Sequence, residues 1–470
     1  MLHCFQFRDD IVAYDNESGA LMLVDEGAEA VLLAYAAAGG KRPDSEILEG
    51  LAERHGLATS ELEEIAAEVD QLVTEGLLFR PAREISLKQL YPTEPRIKSM
   101  CLDVCHDCNL RCKYCFASTG DYGTGRRKKM SIETGIRAID FLIEASGPRR
   151  NLDVDFFGGE PLLNWELVKA VTAYCEEEGP KHGKDIRLTL TTNAILLDDE
   201  KIDFLNEHMK NVVLSIDGRP SVQDDMRPFP GGQGSYERSM AGIRRFVEKR
   251  GDKEYYVRGT YTHQNTDFSE DVLHLAEQGL EQLSMEPVVG STEDFYSLTA
   301  EDMPKVHAEY ERLAERYLES RRQGKPFHFF HFNIDVEGGP CLYKKMKGCG
   351  VGTEYCAVTP DGDIYPCHQF VGEEAFIMGN LYDEPILHPP TALKEDLKTL
   401  ILPNKEDCQG CWAKYFCSGG CAANAFHQTQ SLHGIYEQGC DLQRKRLEAA
   451  LWIQAKLREE GAETAPESLG

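Results

Sequence analysis

Residues 101–116 read CLDVCHDCNLRCKYCF, and five of the sixteen cysteines of this 470-residue chain fall within them. The stretch opens as a strand, with Cys101, Asp103 and Cys105 on one face of an alternating run and Leu102 and Val104 on the other. It closes as a polar loop around Asn109 and Arg111, with the aromatic Tyr114 just before Cys115. The spacing C-x3-C-x2-C occurs twice, as Cys101, Cys105, Cys108 and as Cys108, Cys112, Cys115. Only the second set lies wholly in the loop, where three thiolates can wrap one body; Cys101 and Cys105 read as strand packing beside it. Three thiolates so spaced can hold three irons of a [4Fe–4S] cube and leave the fourth open to a small chelating ligand, which four cysteines would not.

From 97 to about 290, strand-like and helical runs alternate. Strands are predicted at 97–105, 152–157, 186–191, 211–216, 255–262 and 282–288, with helices at 131–146, 164–178, 199–208, 235–249 and 268–278 between them. Six such repeats predict an α/β fold with a parallel sheet, either doubly wound or an incomplete barrel. In both, the site belongs at the C-terminal ends of the strands.

Residues 1–80 read as a separate small module, with a β-hairpin over the first 25 residues and helices near 27–38, 45–55 and 60–77. Ser60 and Glu63 stand in capping-box spacing at the start of the last helix. Residues 81–96, with three prolines, read as a linker. Residues 97–310 form the α/β core and 311–460 a Cys-rich domain. That domain holds a helix continuing from 300 to 322, short elements over 341–440 and a last helix over 441–459, and residues 461–470 read as a disordered tail.

The net charge of −28 argues against a general nucleic-acid binder or an anionic membrane surface as partner. No apolar run approaches the ~20 residues that cross a bilayer, and the first ten residues, MLHCFQFRDD, lack the pattern of a secretory signal. A cytoplasmic location is expected, where thiols stay reduced, so the nine cysteines from Cys341 to Cys440 read as metal or iron–sulfur ligands before disulfides. Isolated Cys4 and Cys175 read as small buried apolar side chains.

Further motifs sit where the strand pattern ends. FGGEPL (157–162) follows the second core strand, Thr191-Thr192-Asn193 ends the third, and Ser215-Ile216-Asp217-Gly218 ends the fourth, with Arg227 twelve residues after Ser215. Beyond 340, Cys349 is followed by twelve residues, Gly362, four residues and Cys367. Then come Cys408-x2-Cys411-x5-Cys417-x3-Cys421 and, after eighteen residues, Cys440. A pair of zinc knots also uses C-x2-C, but seven positions in register are a far more specific pattern.

At these residues the chain resembles the radical SAM enzymes, whose signature is C-x3-C-x2-C with an aromatic before the last Cys and a GGEP motif after the second strand. The later cysteines resemble the SPASM extension of peptide-modifying members. The resemblance implies an α/β fold with a partial (β/α)6 TIM-like barrel, an N-terminal winged-helix-like peptide-recognition module and a C-terminal SPASM domain. It implies three [4Fe–4S] clusters and S-adenosylmethionine (SAM). Cys108, Cys112 and Cys115 would hold the SAM-binding cluster; Cys408, Cys411, Cys417 and Cys440 the outer auxiliary cluster; Cys349, Cys367 and Cys421 the inner one, with Cys341 or a substrate thiolate as its fourth ligand. Tyr114, Gly158, Gly159, Glu160, Thr192, Asn193, Ser215, Asp217 and Arg227 would surround SAM. Cys356 fits no such position and reads as packing or a spare thiol.

The strings CNLRCKYCFASTGDYG and GCGVGTEYCAVTPDGDIYPCHQFVG look like those of maturases that form thioethers in six-cysteine peptides, the SCIFF or ranthipeptide group. The implied partners are a small Cys-rich precursor peptide with a leader, captured on a strand edge of residues 1–80, and a reductant such as ferredoxin or flavodoxin. Sactipeptide maturases and anaerobic sulfatase maturases share this layout. The latter usually carry an Asp directly after the cysteine matching Cys367, where this chain has His368, a candidate proton acceptor. A non-enzymatic iron–sulfur electron carrier would need neither FGGEPL nor SIDG.

Overall fold

The computed structural model describes residues 1–82, 85–91, 95–291, 293–336 and 342–461. Cys341 and residues 462–470 therefore lie outside the described residues. Strands β1 (Leu2–Phe7), β2 (Asp10–Asp15) and β3 (Ala20–Val24) form an antiparallel sheet in chain order. The predicted hairpin is thus a three-stranded meander, because the chain turns at Arg8, in the left-handed region at φ 54°, and splits the first run in two. Helices Glu26–Ala37, Ser45–His55 and Thr59–Thr74 follow. The expected capping box is not used: the third helix starts one residue before Ser60, with Ala58 at its N-cap and no side-chain cap.

The core strands are β4 (Ser99–Cys105), β5 (Asn151–Gly158), β6 (Asp185–Thr192), β7 (Asn211–Ser215), β8 (Tyr256–Tyr261) and β9 (Gln282–Pro287). They pair in parallel with their neighbours in strict chain order. Sequential order excludes the doubly wound alternative, whose strand order reverses, and gives a partial (β/α)6 TIM-like barrel. Each strand sends one set of alternate residues toward the helices, such as Leu152, Val154 and Phe156 of β5 or Leu188 and Leu190 of β6, all buried in the main core. The other set, including Asp103, Asp155, Thr191 and Arg258, faces the barrel interior.

The sheet does not stop at the core. β10 (His328–Phe329) pairs with β9, and at the opposite edge β11 (Tyr355–Val358) runs parallel to β4, continued by β12 (Asp363–Tyr365) and β13 (Gly379–Asn380). The Cys-rich region is therefore hydrogen-bonded into the barrel sheet, an extension that strands of two to four residues gave no periodicity to reveal. Cys356 lies buried in β11. The expected boundary at 310 falls inside the helix Met303–Arg322. The segment expected as a linker includes a helical turn, Leu87–Leu90, whose Leu90 packs with Met346, Ile401 and Leu402. The last helix, Glu437–Glu459, begins four residues before its predicted start and takes in Cys440.

The N-terminal module docks on this last helix. Trp452 Nε1 donates to Asp10 at 2.8 Å, its ring stacks on Phe7, and His3 stacks on Trp412 with ring centres 4.1 Å apart. Trp452→Ala removes most of a buried indole and should cost about 3–5 kcal/mol. The expected outcome is a lower calorimetric melting temperature and faster amide exchange in β1 and β2, with exchange in β5 and β6 little changed.

Candidate functional site

The cysteine-bearing loop leaves the top of β4 and lies across the end of β5. Gly159 N donates to Cys105 O at 2.7 Å and Glu160 N to Asp107 O at 2.9 Å. A Cβ on Gly159 would stand 2.2 Å from Asp107 O, and one on Gly158, at φ 120°, would stand 2.5 Å from Cys105 O. These glycines thus admit the loop's own backbone. Farther along, Arg111 N and Lys113 N donate to Pro228 O and Met226 O, at 2.8 and 2.9 Å. The loop is held between two strand ends.

Glu160 is almost fully buried and caps its own turn through Leu162 N. It accepts from Thr192 Oγ1 at 2.8 Å and from Asn193 N at 2.9 Å, tying β5 to β6. Burial raises its pKa to about 7 against the pull of these bonds. Asn193 Nδ2 donates to Asn109 Oδ1 at 2.7 Å and lies 3.8 Å from Cys108 Sγ. Beyond β7, Asp217 is fully buried; it accepts from Tyr114 OH at 2.6 Å and pairs with Arg227 at 2.9 Å. The Arg227 guanidinium also lies over the Tyr114 ring. Asp217 and Glu160 are thereby occupied within the protein, as positioning groups. Arg227 Nε and Asn109 Nδ2 remain buried with no hydrogen-bond partner. Ser215 ends β7.

The thiols fall into three groups by mutual charge. Burial is the largest cause of the raised pKa values of Cys108 and Cys112; the thiols of Cys112 and Cys115 add to the rise at Cys108, and that of Cys115 to the rise at Cys112. Cys349, Cys367 and Cys421 are coupled in the same way, and Cys408, Cys411, Cys417 and Cys440 form the third set. The backbone amides of Gly419 and Gly420 favour the thiolate of Cys417. Among the described residues no three His, Cys, Asp or Glu side chains converge as ligands of a single metal ion. Sets of three and four thiols are the donor chemistry of an iron–sulfur cluster. Cys101 and Cys105 are buried in β4 and join none of these sets.

His368 follows Cys367 and lies beside the barrel interior. Its Nδ1 is 3.0 Å from Tyr355 OH, and its ring packs against Phe116 and Phe157. Burial lowers its pKa. Three residues escaped the sequence reading. Gln223 Oε1 accepts from Asp217 N and its Nε2 donates to Ser235, fixing the segment that delivers Arg227; nothing in a lone Gln marks this. Asp103 and Asp155 face the barrel interior, and carboxylates inside otherwise apolar strands were the signal available.

Residues 103–278 match the Radical SAM superfamily and residues 349–412 the iron–sulfur cluster-binding SPASM domain. The chain is 24% identical over 355 residues to a serine-type anaerobic sulfatase-maturating enzyme of Klebsiella aerogenes, covering 71% of this chain and 82% of that protein. Native anSMEcpe with bound AdoMet superposes with a TM-score of 0.63 at 21% identity, over 76% of this chain and 99% of that one. Streptococcus suis SuiB bound to precursor peptide SuiA superposes with a TM-score of 0.51 at 17% identity, over 94% of this chain and 100% of that one.

Gly159→Ala should push the cysteine loop off β5 while leaving the thiols of the other two sets in place. The expected outcome, after anaerobic reconstitution, is iron and sulfide lower by about one cubane, with the remaining signal by electron paramagnetic resonance assignable to the later cysteines. With the two matches laid on these strand ends and thiol groups, the chain carries a radical SAM domain followed by a SPASM iron–sulfur cluster-binding domain.

Proposed function

We propose that the protein is a peptide maturase that cleaves SAM reductively and joins cysteine sulfur to a peptide carbon in a small Cys-rich precursor. The observation that carries this reading is the grouping of ten thiols into three sets, one of them a three-cysteine loop at the mouth of the barrel. A site of that kind leaves a coordination position for SAM. Bound there, a reduced [4Fe–4S] cluster and SAM supply a 5′-deoxyadenosyl radical, which abstracts hydrogen from unactivated carbon.

The chain's own residues then have distinct tasks. Cys108, Cys112 and Cys115 hold the SAM-binding cluster. Arg227 presents its unpartnered Nε to a carboxylate, braced by Asp217 and Tyr114. Thr192 and Asn193, locked by Glu160, shape the opposite wall, and Ser215 offers a hydroxyl at the end of β7. Cys408, Cys411, Cys417 and Cys440 hold the outer auxiliary cluster. Cys349, Cys367 and Cys421 hold the inner one, leaving a position for Cys341 or a substrate thiolate. His368 stands beside that inner set.

Residues 1–80 form the leader-recognition domain in this reading, with β3 as an edge strand. The likeness to SuiB, solved with a precursor peptide, extends over 94% of this chain and supports a peptide substrate. Sulfatase maturation is the second reading, supported by the sulfatase-maturating relative, but His368 replaces the Asp expected there.

Co-expression with a Cys-rich precursor should give a peptide lighter by two hydrogens per link, with 5′-deoxyadenosine formed alongside. Cys112→Ala should abolish both products, while Cys440→Ala should spare much of the SAM cleavage and lose linking. Mass spectrometry that finds SAM cleaved and the peptide unaltered would discard the thioether assignment.

A further inference from the structure

Resting on the peptide-maturase reading, we infer that Asp155, tuned by Asp103 and Arg258, is the base that takes the proton from the substrate thiol inside the barrel. Asp155 lies in the middle of β5, opposite Cys101 of β4 and Thr189 of β6 in the strand register. Its neighbours Val154 and Phe156 point to the helices and are fully or nearly fully buried, so its own side chain points inward. Asp155 Oδ1 and Asp103 Oδ2 are both buried and both lack a hydrogen-bond partner. Burying a carboxylate oxygen without a hydrogen bond costs free energy; His106 Nε2, 3.8 Å from Asp103 Oδ2, offsets part of it at Asp103, and among the described residues no such group stands against Asp155 Oδ1. Such an expense is common where a group meets a ligand.

The surroundings set the direction of the titration. Asp103 on β4 opposes ionisation of Asp155 by its charge. Arg258 on β8 favours it, and so does a bond from Thr191 on β6. Burial is the largest influence, and the carboxyl is carried up to about 7. Cys101 on β4 and Tyr355 on β11 also lie within its electrostatic reach, and Tyr355 in turn reaches Cys367 of the inner thiol set. His368, next to Cys367, faces the same Asp103 and Arg258. Asp155 therefore stands between the strand ends that carry the SAM site and the inner auxiliary cysteines. His368, with its Nδ1 engaged by Tyr355 and its ring packed against Phe116 and Phe157, is the alternative base that the test below separates from Asp155.

The linking step balances with Asp155 in this place. The carbon–hydrogen bond gives its hydrogen atom to the adenosyl carbon. The sulfur–hydrogen bond gives its proton to the Asp155 carboxylate as the sulfur–carbon bond forms. The one electron left over passes to an auxiliary [4Fe–4S] cluster, a one-electron acceptor. Asp155 later returns the proton to solvent.

Two readouts decide the matter. Infrared titration of the wild-type protein should show carboxyl absorption from Asp155 and Glu160 lost as pH rises through about 7, and the Asp155 part, isolated as the difference between wild type and Asp155→Asn, should be present. With the reconstituted enzyme and precursor peptide, Asp155→Asn should lower links formed per 5′-deoxyadenosine by about a hundredfold or more. In Asp103→Asn, removal of the neighbouring negative charge should move both the Asp155 absorption and the rising limb of linking rate against pH to lower pH. A wild type that links with no Asp155 carboxyl titrating near neutrality, or an Asp155→Asn variant that links as well as wild type, overturns the inference alone. A linking limb that disappears only in His368→Gln assigns the base to His368 and also overturns it. A wild type that cleaves SAM and leaves the peptide unchanged overturns the inference together with the maturase reading.

Discussion

The place where a Gly159 side chain would begin is filled by the carbonyl of Asp107. This single exclusion of volume sets the geometry of the mouth of the barrel. It brings the cysteine loop down onto the end of β5, where two backbone bonds hold it. It also puts Glu160 directly beneath, free to bind the backbone and hydroxyl of β6. Asp217 does the equivalent on the far side by gripping Tyr114 from the loop and Arg227 from the segment after β7. The loop is thereby braced from two strand ends by buried carboxylates, and its thiols keep a fixed relation to the sheet before any cluster is present.

Burial has a second effect at the same place. Thiols in low-dielectric surroundings stay protonated, and neighbouring thiols reinforce this in each of the three sets. The thiols of Cys108, Cys112, Cys367 and Cys440 would therefore give up protons on binding iron. The chain offers amide donors at Gly419 and Gly420, and the guanidinium of Arg227 near Cys112, to favour the ionised state once iron arrives.

Much of this was legible in the sequence. The six core strands and their helices carry strong apolar periodicity, and each observed strand lies within a few residues of its expected place. The strand-then-loop pattern, since the spacing is the same in both sets, separated strand packing at Cys101 and Cys105 from the loop set. What escaped has physical causes. A turn at Arg8–Asp9 contains no Gly, Pro or Asn to mark it. Strands β11 to β13 are too short for alternation to register, and they are created by a neighbour, β4, far away in sequence. The start of the last helix has no side-chain cap, so nothing local announced that Cys440 is helical. The interior carboxylates of β4 and β5 were visible letters, but their meaning depends on a barrel face that only the fold defines.

The contact between the first strands and the last helix bears on how the molecule is made. Asp10 and its partner Trp452 are 442 residues apart. During synthesis the amino-terminal sheet therefore emerges long before the surface it settles on. Until that helix is made, the sheet must hold together around its own small core of Val31, Tyr35, Leu48 and Leu62. The same helix carries Cys440, so this thiol takes its place only with the element that seats the first module.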